Sequence, residues 1–160
     1  LFGDQDRGAW DERHIALGFR HLGAASRGGD VSRFHLEAGI AALHARTPQG
    51  GEPDWPRILD LYDALVAAWP SPVIALNRAV AVLRVRGSEA AEAALQPALK
   101  DPALASYAPL YVVGAEVAHA GGDVARALRR LDRALACPLS EPQRRFIARL
   151  REARAASAGP

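Results

Sequence analysis

Three observations predict an all-α fold of about eight short helices packed as antiparallel pairs. Alanine supplies 34 of the 160 residues, whereas Val, Ile and Thr together supply 16. Alanine is the best helix former, and β-branched residues are the ones strands prefer. Helix caps and breakers (Ser, Asp, Gly and Pro) cut the chain into segments with helical apolar spacing, and no segment shows the alternation of a strand. Finally, one pattern of small and large apolar residues recurs along the chain from Ile58 onward.

The elements follow in order. Trp10 to Ala25 carries Ile15, Gly18, Phe19 and Leu22 as one stripe at helical spacing, and Gly28-Gly29 ends it. Asp30 or Ser32 is placed to cap a second helix near 32–46. That helix has apolar residues almost all round, including Phe34, Leu36, Ile40 and Leu43, a pattern expected of a helix buried between others. Thr47 to Pro53 is the clearest loop. Asp54 caps a third helix showing Ile58, Leu61, Tyr62 and Leu65, and Trp69-Pro70-Ser71-Pro72 stops it. Ser71 as cap with Pro72 in the first turn opens a fourth helix, bearing Val73, Leu76, Val80 and Leu83. Gly87-Ser88 turns into a fifth near 89–99, and Asp101-Pro102 breaks that. A sixth runs near 106–120 to Gly121-Gly122. Asp123 caps a seventh that ends at Cys137-Pro138. Ser140 with Gln143 forms a capping box for an eighth near 141–156. The tail 157–160 is expected to fray.

The helices repeat. Ile58, Tyr62, Leu65 and Pro70 share a layout with Ala91, Leu95, Ala98 and Pro102, and again with Ala127, Leu131, Ala134 and Pro138-Leu139. Leu76 and Tyr111 each precede a turn glycine, Gly87 or Gly122, by the same interval. A period near 34 with a small residue, a large one, a second small one and a closing proline resembles the tetratricopeptide repeat. The small residues let helices approach, the large one fills the groove, and the proline turns the chain into the next pair. The expected architecture is a tetratricopeptide-like right-handed stack of antiparallel helix pairs. It is read as one domain: a linker at 1–9, an atypical capping helix pair at 10–53 and repeat helices at 54–156. The first helix of each pair lines a concave face suited to a peptide or another domain.

Composition excludes several function classes. The single cysteine, Cys137, rules out an internal disulfide framework and a cysteine-based zinc site. No apolar run approaches the ~18–20 residues that span a bilayer, and no signal segment opens the chain, so a reduced, cytoplasmic location is expected. Methionine is absent and the chain starts at Leu1, which suggests a domain excised from a longer protein. Arginine outnumbers lysine 19 to one, and residues 123–160 carry nine Arg against four acids. The bland reading of that basic tail is preferred to nucleic-acid binding. Arg126, Arg129, Arg130 and Arg133 sit where a helix shows solvent, without interleaved aromatics that could stack on bases.

The search for an active site is empty. His14 and His21 lie two helical turns apart, ~10 Å along the axis, too far to share a metal ion. His35, His44 and His119 have no ligand-spaced partner. Ser71, Ser88 and Ser140 read as helix caps, no G-x-S-x-G is present, and neither glycine pair is a phosphate loop. Asp60 and Asp63 fall on a solvated face. No enzyme, metal or cofactor is expected.

Two clusters stand out. Asp6, Arg7, Trp10 and Asp11 form a dense polar stretch ending in a large aromatic. They make either a contact patch or a local structure in which Asp6 caps the first helix and Trp10 staples it to the core. Asn77 and Arg78 interrupt the apolar run 73–85, at a groove position or as partners of backbone groups between repeats. Glu116 and His119 hold comparable positions in the next pair.

The strings Asp4-Gln5-Asp6-Arg7-Gly8-Ala9-Trp10-Asp11, Leu61-Tyr62-Asp63-Ala64-Leu65 and Pro70-Ser71-Pro72-Val73-Ile74-Ala75-Leu76-Asn77-Arg78-Ala79-Val80-Ala81-Val82 together resemble a family. It is the C-terminal helical extension of bacterial sigma factors of the extracytoplasmic-function type, and the resemblance spans nearly the whole chain. It implies a tetratricopeptide-like, non-catalytic domain that regulates a sigma factor from within the same polypeptide. The implied partners are the sigma core regions and RNA polymerase, with Asp6, Arg7, Trp10, Asp11, Asn77 and Arg78 as contacts. Gly8-Ala9 replace the Ser-Leu pair more usual there, so a looser start to the first helix is expected. Nothing in the chain resembles the promoter-reading regions. The alternative reading is a sensory module that takes a small molecule or peptide in its groove.

Overall fold

A computed structural model of the chain describes residues 6–28, 31–48 and 51–157, and for Arg7 the backbone alone. The described residues are helical with no strand. The α-helices are α1 (Glu12–Ala25), α2 (Arg33–Arg46), α3 (Trp55–Ala68), α4 (Pro72–Lys100), α5 (Ala108–Ala120), α6 (Val124–Leu135) and α7 (Glu141–Ala156). Gly87 breaks α4 with φ 83° and ψ 179°, so α4 is two arms, 72–86 and 88–100. With the arms separated, the helices are the eight expected. Asp4, Gln5 and the alternative cap Asp30 lie outside the described residues, as do residues 158–160 of the tail expected to fray.

The caps show why the helices start where they do. Asp54, Asp123 and Asp11 each accept backbone N–H groups of the following turn, satisfying donors that have no intrahelical partner. Ser140 and Gln143 form the expected capping box on α7, and Ser32 with His35 forms one on α2. Ser71 holds the cap position of α4 without a side-chain bond, with Pro72 behind it. Gly87 and Gly122 are the two described residues with positive φ, at 83° and 80°. They close equivalent turns of successive helix pairs, where an L side chain would be strained.

The chain divides into two compact units, Leu1–Trp69 and Pro70–Pro160. In the second, α5 packs on α4 and α6, and α6 packs on α7. The repeat residues make its core. Ala91, Leu95, Ala127, Leu131 and Ala134 are fully buried, and Ala98 nearly so, as close helix approach through small residues requires. Ala127, Leu131 and Ala134 share one cluster with Cys137 and Ile147, and Phe146 and Leu150 pack against it.

In the first unit, α2 packs on α1 and α3, with Ile58, Leu59 and Leu65 of α3 buried. Here one expectation fails. The apolar composition of α2 predicts a buried helix, yet Ile40 is its one buried residue and Phe34 is 76% exposed. Much of its apolar character is Ala and Gly, which present little area to bury, so α2 lies between α1 and α3 with most of its residues only half-buried. None of the residues of α1 is buried.

Candidate functional site

The two predicted clusters fall in different units. Residues 7–9 form a single 3₁₀ turn ahead of α1, so the chain at Gly8-Ala9 is not yet α-helical. Asp6 is exposed, and its Oδ1 accepts from Gly8 N at 2.9 Å, which ties it to that turn. The helix itself is capped by Asp11. Its Oδ1 accepts from Arg13 N at 2.9 Å and from His14 N at 3.1 Å, while Oδ2 pairs with His14 Nδ1 at 2.7 Å. The expectation that Asp6 caps the first helix is therefore corrected. Asp11 is the residue at the non-helical boundary, where a short carboxylate reaches the first free N–H groups. Hydrogen bonds from the His14 backbone and then the His14 ring hold the Asp11 carboxyl below its usual range. Trp10 is half-buried and lines a shallow depression with Ile15, Phe19 and Thr47, consistent with a staple across α1. Arg7 lies in the 3₁₀ turn, and its side chain is outside the described residues.

Asn77 is exposed on the 72–86 arm of α4, and Arg78 is half-buried beside it. Around them Ile74, Leu76, Ala79, Ala81 and Val82 are buried. The apolar run therefore packs inward, while the Asn77 amide reaches solvent.

The basic tail departs from expectation at Arg130. A solvent face is the expectation for Arg130, yet its side chain is 13% exposed. It crosses α5 to Glu92 on the 88–100 arm of α4. Nη1 donates to Glu92 Oε2 at 2.7 Å and Nη2 to Oε1 at 2.5 Å, while Nη1 also donates to the Gly114 carbonyl at 2.7 Å. Gly114 makes room for this passage, since a Cβ there would stand 3.0 Å from Arg130 Cδ. The bidentate bond holds the Glu92 carboxyl below its ordinary range, with burial opposing and the positive charges of Arg130 and Arg126 assisting. A second bridge has the same sequence separation of 38: Arg154 Nη2 of α7 donates to both oxygens of Glu116 on α5, at 3.0 and 2.9 Å. Each bridge thus spans about one repeat. Glu116, expected at a groove position, is engaged within the fold.

Further arginines of this segment are also committed. Arg151 binds Asp132 at 2.6 Å, and Arg126 lies 3.0 Å from Asp123. Arg133 sits 5.7 Å over the Tyr111 ring, and Tyr111 donates its hydroxyl to Ala105 O. Arg126, Arg129 and Arg133 are exposed, as a solvent face requires, and Arg130 is the exception because its partner Glu92 lies on another helix. The signal that could have found the two cross-helix bridges is an Arg and a Glu separated by about one repeat. Among the described residues, no group of three or more His, Cys, Asp or Glu side chains could hold a metal ion. None of the described helices is long and apolar enough to cross a membrane.

No protein-family model matches the chain, and no solved structure matches it significantly. The chain is similar to an uncharacterized protein of Rhizobium meliloti (strain 1021), with 42% identity over 97 residues. That match covers 61% of this chain and 23% of the Rhizobium protein. The chain therefore spans less than a quarter of the curated relative it matches.

Proposed function

We propose that the chain is a non-catalytic, protein-binding regulatory domain of an extracytoplasmic-function type sigma factor. In this reading it docks on the sigma core regions, or on RNA polymerase, and sets the level of transcription initiation. The observation that carries the reading is the pair of strings around Asp6-Arg7 and Asn77-Arg78, held on a helical-repeat scaffold. Asn77 supports it: a polar side chain inside an apolar run is turned to solvent, where a partner can reach it. The similarity to a small part of a much longer protein fits a domain that works beside others. Asp11 is the cap of α1 as well as a proposed contact, so its substitution tests folding before binding. Arg7 and Asn77 are the informative positions.

The test is a pull-down and titration of this chain against a separately expressed sigma core of the same family. Binding by the wild type, weakened about tenfold or more by Asn77→Ala and by Arg7→Ala, is expected, since interface energy concentrates in a few side chains. Absence of wild-type binding would refute the reading. Unchanged binding by both variants would refute the site.

A further inference from the structure

The first unit exposes a cleft that neither predicted cluster uses. Its walls are α1 and α3 and its floor is α2, with Phe19, Leu22, Gly39, Leu43 and Leu61 facing a space of about 280 Å³. Gly39 fits the floor because α3 comes close there: a Cβ on it would meet Leu61 Cδ1 at 3.3 Å. The charged side chains that line the cleft are both guanidinium groups, Arg46 at the end of α2 and Arg57 in the first turn of α3. Arg46 is exposed. Arg57 is 62% exposed, and Asp60 stands 3.9 Å away, at the edge of ion-pair distance. Among the described residues, no carboxylate lines the space.

We propose that this cleft docks an amphipathic helix of a partner protein, one with an apolar stripe flanked by carboxylates. Helix-in-groove recognition needs an apolar trough about one helix face wide, which the Phe19, Leu22, Leu43 and Leu61 side chains supply. Aromatic and arginine side chains are the types enriched at such interfaces. Two cations at the mouth select the sign of the flanking charges on the incoming helix. The packing of α1 agrees: none of its residues is fully buried, and Phe19 and Leu22 of its apolar stripe stay half-exposed along the cleft. Nucleic acid is disfavoured by the apolar floor.

The probes are two fluorescently labelled helical peptides of about four turns, sharing one leucine stripe, flanked by Glu in one and by Lys in the other. Fluorescence anisotropy with the full chain should show the Glu peptide binding about tenfold more tightly than the Lys peptide. In the Arg46→Glu/Arg57→Glu variant that preference should invert. Both positions are exposed, so folding is not at risk, and circular dichroism provides the check. Phe19→Ser should weaken both peptides alike. Binding of neither peptide, equal binding of both, or a preference unchanged by charge reversal would overturn the proposal. Sedimentation showing a dimer that excludes the peptide would assign the cleft to a second copy. Displacement of the Glu peptide by sodium decanoate at lower concentration than by unlabelled peptide would assign it to a small carboxylate. Either result would also overturn the proposal.

Discussion

Arg130 illustrates how one side chain acts on three helices. Its guanidinium is mostly removed from water, and its donors are divided between a carboxylate of α4 and a carbonyl of α5. Removing it by Arg130→Ala leaves Glu92 partly buried without its hydrogen-bonded partner, so a loss of about 1–3 kcal/mol is expected in urea denaturation. A cycle with Glu92→Gln should be non-additive, because the two groups share one interaction. The pH dependence has a definite sign. The folded-state pKa of Glu92 lies below its ordinary value of 4.5, so this contribution is complete above that value. It is lost as pH falls through the folded pKa, where the native state must take up the proton. The stability of Arg130→Ala should therefore decline less steeply than wild type below pH 4.5. An unaltered acid limb would show that Glu92 draws its stabilisation from elsewhere.

Among the elements, α4 and α2 teach opposite lessons. The Gly87-Ser88 break was legible because glycine before a polar residue recurs one repeat later at Gly122, and both glycines take positive φ. At Gly87, φ 83° and ψ 179° belong to a region that L residues scarcely enter, while no atom lies within 4 Å of an added Cβ. Gly87→Ala should therefore cost about 1–3 kcal/mol through backbone strain alone. An unchanged denaturation midpoint would mean that the break can straighten into continuous helix. For α2, apolar composition was a poor guide. Hydrophobicity of a residue says nothing of its area, and a face of Ala38, Ala41 and Ala45 gains little from being covered. The cleft beside it was illegible for the same reason. Phe19 and Leu22 look like core residues in a helical stripe, and Arg46 and Arg57 look like ordinary helix-end charges. Only the placement of three helices puts them around one space.

Taken as a whole, the chain holds two units of unlike character. The second has the dense core, with Leu95, Leu131, Ala91 and Ala127 at full burial, and its cross-helix bridges from Arg130 and Arg154 are internal to it. Residues 70–160 expressed alone should remain helical and unfold in one cooperative transition, as expected of a domain with its own core. Residues 1–69, with no residue of α1 fully buried, should unfold at a lower temperature by circular dichroism. Loss of cooperativity in the 70–160 fragment would mean that its core needs the first unit.

The sequence by itself determined the all-α class, the order of the eight helical segments, the main caps, and the small and large positions of the repeat. These depend on local chemistry (backbone N–H groups needing acceptors, glycine at positive φ, apolar spacing at 3.6 residues), which a chain carries wherever it folds. Tertiary structure alone decided which side chains meet. It turned Arg130 from a solvent residue into a three-helix tie, engaged Glu116 with Arg154, left Phe34 of α2 uncovered, and gathered Phe19, Leu43, Leu61, Arg46 and Arg57 around one cleft. Such contacts join residues far apart in sequence, and their energy depends on distances between helices that no single helix encodes.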